Sequence, residues 1–67
     1  MKLNHSHVLA SLQLTLDTGT AIPIPNVDKL RLSIIESDWN SAEMLECLTL
    51  LTECEEITWN HLASEDS

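Results

Sequence analysis

Phenylalanine and tyrosine are absent from this chain, and tryptophan occurs only as Trp39 and Trp59. A core without them has to be built from leucine and isoleucine. Cations are almost as scarce. Lys2, Lys29 and Arg31 stand against eleven acidic residues, for a formal net charge of −8. That balance gives the wrong electrostatic sign for phosphate backbones and anionic bilayers, so neither direct nucleic-acid binding nor a membrane partner is expected. Gly19 is the only glycine, which leaves little scope for phosphate-cradling loops. No nucleophile motif is present, and so short a chain has little volume for a walled pocket. The expectation is a protein that is not an enzyme and carries no cofactor. No apolar run approaches the ~20 residues that span a bilayer. Met1-Lys2 leads into Leu3-Asn4-His5-Ser6-His7 rather than an apolar segment, which predicts a cytoplasmic protein with reduced thiols.

What remains is one small domain, residues 1–67, with 1–6 and 63–67 expected to fray. A hydrophobic content of 43% sets it apart from disordered compositions. A domain of this size buries only about 60% of its unfolded surface, so an additional source of stability is expected.

Residues 7–18, HVLASLQLTLDT, fit two templates. As a helix, Val8, Leu9, Leu12 and Leu16 share a face, with Ser6 as the cap. As a strand, Val8, Ala10, Leu12, Leu14 and Leu16 alternate with polar neighbours. Gly19 suits a helix C-cap or a hairpin turn equally. Pro23 and Pro25 predict an extended stretch over 20–25. A helix near 26–37 follows, capped by Asn26. A second helix, near 41–55, is capped by Asn40 with Glu43 reaching back. Residues 57–62, ITWNHL, are expected as a short strand.

The expected fold class is therefore mainly α, a small α+β domain with two firm helices, an ambiguous first element and a short C-terminal strand. With a helix first, the element order is similar to that of winged-helix domains with the wing cut short. With a strand first, it is a β-hairpin followed by two helices.

Cys47 and Cys54 lie seven residues apart, about 10 Å along one helix face. That spacing prevents them from forming a disulfide or sharing one zinc while the helix is intact. In the middle of the apolar stripe they are expected as buried core residues. His5 and His7, with His61 as a third ligand, make only a weak metal motif near a terminus, and no metal site is assigned.

The acidic face is the main functional candidate. Glu46, Glu53 and Glu56 share the polar side of the helix near 41–55, with Glu55 on its flank and Glu36 and Asp38 just before it. Such a face is either simply solvated or docks on a basic protein surface. Trp39 is expected to be core, and Trp59 is a candidate contact residue. Met44, Leu45, Leu48, Leu50 and Leu51 make a stripe wider than one neighbouring helix needs, which predicts cover from the first element or a second subunit, hence a homodimer. The resulting expectation is a small acidic protein that binds and regulates or inhibits another protein with a basic surface. In its sharpest form it mimics nucleic acid, as some phage and mobile-element accessory proteins do. The alternative is a dimeric winged-helix-like regulator or structural adaptor that uses its apolar face.

Overall fold

The computed structural model describes residues 3–65, which form three α-helices: α1 (His5–Thr18), α2 (Ile24–Ile35) and α3 (Ser41–Glu65). The fraying expected at residues 1, 2, 66 and 67 lies outside the described residues. Leu3 and Asn4 lead directly into α1, and 63–65 are the last turn of α3.

Local chemistry sets most of the helix ends. Asn4, not Ser6, caps α1, its Oδ1 accepting from the His7 N–H at 3.0 Å. Gly19 ends the helix in the left-handed region at φ 67°, where a side chain would be strained. The Gly19 N–H then donates to the Leu16 carbonyl and the Thr20 N–H to that of Thr15, the paired bonds of a Schellman ending. α2 begins at Ile24 rather than Asn26. Pro23 occupies its N-cap position, and the Asn26 and Val27 N–H groups both donate to the Pro23 carbonyl. Pro25 fits inside the first turn because an N–H there would have no intrahelical acceptor. At the start of α3 the capping box is complete. Asn40 Oδ1 accepts from the Glu43 N–H at 2.9 Å, and Glu43 Oε1 accepts from the Asn40 N–H at 3.2 Å.

The expected α+β class is overturned. No strand occurs among the described residues, so neither a C-terminal strand over 57–62 nor a winged-helix order with a wing exists. The first element is a helix, not a hairpin strand. Residues 57–62 continue α3 because helical spacing turns Thr58 onto the same face as Cys47, Leu51 and Cys54, all buried. In a strand, alternation would also separate Ile57 from Thr58, yet both are at least half-buried here. The weak helix propensity of Ile, Thr and Trp costs only a few tenths of a kcal/mol each, about 0.7 at most, less than burying this turn returns.

α3 is the spine. At 25 residues it accounts for the 41 Å long axis of the molecule. α1 runs parallel to it, with His5 against Glu46 near its start and Leu12 against Cys54 further along. α2 returns antiparallel, with Arg31 bonded to Glu55 before the chain turns back into α3. Both shorter helices pack on α3, but no Cα of α1 comes within 8 Å of one in α2 among the described residues. The core is the wedge between them: Val8 and Leu12 of α1, Val27 and Ile34 of α2, and Cys47, Leu51 and Cys54 of α3. The width of the α3 stripe thus has an internal explanation. Leu50 lies on the α1 side and Met44 and Leu48 border the core, all three half-buried, while Leu51 sits at its centre.

Cys47 and Cys54 are free and completely buried, and the Cys54 thiol points at the Leu12 carbonyl at 3.7 Å. Burial pushes both thiols above the ordinary range, reinforced by the carboxylates of Glu46 and Glu43 at Cys47 and of Glu53 at Cys54. A raised folded-state value means that the folded chain holds these protons longer than the unfolded one. Their contribution is full below the unfolded thiol value of ~8.5 and is lost as pH rises through the folded value. Urea unfolding between neutral and strongly alkaline pH should therefore show stability falling with pH, and Cys54→Ala should make that fall shallower. If opening the core costs even ~3 kcal/mol, iodoacetamide should label the native thiols about 100-fold more slowly than the unfolded ones. Equal labelling rates would mean that the α3 face is not buried.

Candidate functional site

The outer side of α3 is set by the same helical period that buries its inner side. Opposite Cys47, Leu51 and Cys54, the exposed residues are Ala42, Leu45, Glu46, Thr49, Thr52, Glu53, Glu56 and Asn60. Glu46, Glu53 and Glu56 therefore fall together, as their spacing predicts. From Glu46 to Glu56 they extend about 15 Å along the helix. α1 and α3 contain no lysine or arginine at all. Lys29 and Arg31 both lie on α2.

The other acidic candidates are placed elsewhere. Glu55 lies on the α2 flank, where its carboxylate pairs with the Arg31 guanidinium, which also bonds Asp28 at 3.2 Å. Trp59 is 53% exposed on the same flank, its indole N–H donating to Glu55 at 3.4 Å. Arg31, Glu55 and Trp59 thus form a clamp between α2 and α3 rather than part of the outer row. Glu36 follows α2 and Asp38 lies in the connector to α3, both exposed.

One cluster was not foreseen from the sequence. His5, at the first position of α1, lies between two carboxylates of α3, with Nε2 at 3.1 Å from Glu46 and Nδ1 at 3.7 Å from Glu43. Its ring meets that of Trp39 edge to face, with centroids 5.2 Å apart. The Trp39 indole N–H donates to the Leu3 carbonyl at 3.1 Å, so Trp39 is half-buried and ties down the start of the chain. His7 is exposed, and His61 lies about 22 Å further along α3 than Glu46 by helical rise. The three histidines thus do not converge, and no group of His, Cys, Asp and Glu able to hold a metal occurs among the described residues.

Of the proposed seam, Leu51 is core and Met44, Leu48 and Leu50 border it, whereas Leu45 is 66% exposed. Leu45 forms part of an open groove of about 460 Å³ between α1 and the back of α3, with Leu9, Gln13, Ala42, Glu46, Thr49 and Leu50. The largely apolar lining of this groove runs directly into the acidic row through Glu46.

Fold and site together define a three-helix acidic module with a carboxylate row on its long helix and an apolar groove beside that row. Among the described residues, no helix is long and apolar enough to cross a membrane. The chain matches no protein-family model, no curated protein and no solved structure.

Proposed function

We propose that this is a non-enzymatic, cytoplasmic protein-binding regulator that docks on a basic protein surface through the outer face of α3. The observation that carries this reading is the row of exposed carboxylates at Glu46, Glu53 and Glu56 on a helix without a single lysine or arginine. Like charges so arranged repel one another and slightly destabilise the helix. A basic partner relieves that repulsion, and the field of a chain at −8 speeds the encounter. Carboxylates about 5–10 Å apart along one helix face can stand in for phosphates. Grooves that normally hold nucleic acid are therefore the surfaces this module fits best, and occupying one inhibits its owner, the role of a phage or mobile-element accessory protein.

The test is capture of partners at ~0.1 M and ~1 M salt, between which the screening length falls from about 10 Å to about 3 Å. The wild type should retain a nucleic-acid-handling protein at low salt, release it at high salt and lose it to competing duplex DNA. The double reversal Glu46→Lys with Glu53→Lys should abolish capture while leaving far-UV circular dichroism unchanged. A partner that survives high salt and the double reversal overturns the proposal.

A further inference from the structure

The groove beside the acidic row has the chemistry of a docking site, and its occupant can be narrowed. Leu9 on α1 and Ala42, Leu45 and Leu50 on α3 supply apolar walls, Gln13 and Thr49 add polar edges, and Glu46 stands on the rim. Ala42 to Leu50 spans about two helical turns, or ~12 Å. A volume of about 460 Å³ lies within the range of sites that hold a few large side chains. Leu45 is the most exposed large apolar residue among the described residues, with Leu14 close behind. With Leu9, Ala42 and Leu50, Leu45 forms a contiguous apolar strip open to water, and covering such a strip is favourable.

A second copy is disfavoured by charge. A two-fold arrangement brings the same patch of both molecules together, so two acidic rims carrying Glu46 and Glu53 would be pressed against each other between two chains of −8 each. The charges around the groove favour a cationic segment instead. Glu53 is one turn beyond Thr49 on α3 and Asp17 one turn beyond Gln13 on α1, both exposed, so acidic groups continue past the groove along both helices.

We infer that the α1–α3 groove receives one amphipathic helix of a basic protein, with two or three apolar residues at i, i+3/i+4 and i+7 seated between Leu9, Leu45 and Leu50 and flanking Lys or Arg side chains on Glu46, Glu53 and Asp17. This is the helix-in-groove mode of recognition, in which apolar anchors give affinity and rim charges give register. It rests on the reading of the acidic row as a docking face, and adds to it a specific apolar anchor and a helical ligand.

The test uses a synthetic peptide of about four helical turns, with leucines at the i, i+4 and i+7 positions and Lys/Arg elsewhere on its flanks. A control peptide keeps every charge and replaces the leucines with glutamine. Titration into the full chain should give saturable binding of the leucine peptide, with amide shift changes concentrated at Leu9, Gln13, Leu45, Thr49 and Leu50. Leu45→Gln should weaken it by about tenfold or more, and Glu46→Gln should weaken it less while reducing its salt dependence. Leu45 is solvent-exposed, so this variant should keep wild-type helicity, and Ala42→Gln, one turn earlier on the same wall and also exposed, provides a second block.

If the glutamine control binds as well as the leucine peptide and Leu45→Gln has no effect, the groove is not the site, while the acidic-row proposal stands. If neither peptide binds, the groove inference falls, and the acidic-row proposal is decided separately by the salt-dependent capture and the Glu46→Lys, Glu53→Lys reversal. If sedimentation shows a dimer that Leu45→Gln dissociates, the occupant is a second copy and the inference is overturned.

Discussion

Leu51→Ala should be the most damaging single truncation in this protein, costing about 2–5 kcal/mol. Leu51 has no exposed surface and stands at the centre of the one α3 face against which both other helices close. The space left by its removal borders α1 and α2 at once. The backbones of those two helices stay apart, with no Cα pair within 8 Å among the described residues, and each is packed on α3, so closing the space means shifting a helix off its own contacts there. A chain of 67 residues has a total stability of only about 3–10 kcal/mol at the usual ~0.05–0.15 per residue. The variant should thus be partly unfolded at 25 °C, with a urea midpoint well below wild type and reduced helicity by far-UV circular dichroism. Leu45→Ala is the matched control. Its side chain is 66% exposed, so the change should stay within about 0.5 kcal/mol. If Leu45→Ala cost as much as Leu51→Ala at micromolar concentration, Leu45 would have to be buried by self-association, which would restore the homodimer as the source of extra stability.

The contrast between these two leucines also marks where the sequence was legible. The spacing of Cys47, Leu51 and Cys54 identified the buried face, and the Asn40–Glu43 pair identified the start of α3, because both signals are local. Gly19 was read as an ending of either kind, and its left-handed backbone makes it a helix ending. The first element stayed ambiguous because Leu12, Leu14 and Leu16 alternate like a strand. Leu14, the residue that makes the strand template fit, is the one α1 leaves exposed on its outer side. The start of α2 is hidden in the sequence because Pro23 and Pro25 suggest an extended stretch, whereas proline in a first turn is compatible with a helix.

Long-range pairs were beyond the sequence. Glu55 looks like one more acid on a polar flank until Arg31, 24 residues away, is found against it. His5 reads as part of a loose polar lead until Glu46, 41 positions later, fixes it. The same limit explains the C-terminal strand. Ile57-Thr58-Trp59 is rich in β-formers, and nothing local reveals that the connector before α2 needs a partner on the last turns of α3. The weaker signal was present in the continuation of 47, 51 and 54 to 58 at helical spacing.

Thr58→Val should show how much that partner is worth. Valine has nearly the same shape and a similar helix propensity, so little changes except the loss of the hydroxyl. That hydroxyl is buried. It accepts from the Ile22 N–H at 3.0 Å and donates to the Ile22 carbonyl at 2.8 Å, with the Cys54 carbonyl at 3.3 Å as the competing acceptor for its single proton. One side chain on α3 thereby satisfies both backbone groups of a connector residue that has no ladder or helix of its own. Removing it leaves the Ile22 N–H and carbonyl partly buried without that partner, at a cost of about 1–3 kcal/mol. Thr58→Ser keeps the hydroxyl and should recover most of the loss, which separates hydrogen bonding from packing. Hydrogen exchange provides the local readout: in Thr58→Val the Ile22 amide should lose protection beyond the global drop, while the Leu51 amide should follow the global drop alone. If Thr58→Val matches wild type in urea and Ile22 stays protected, the connector is held by the packing of Ile22 and Pro23 instead. The expected outcome makes Thr58 the residue that holds the α1–α2 connector on the spine, at Ile22 between the end of α1 and the start of α2.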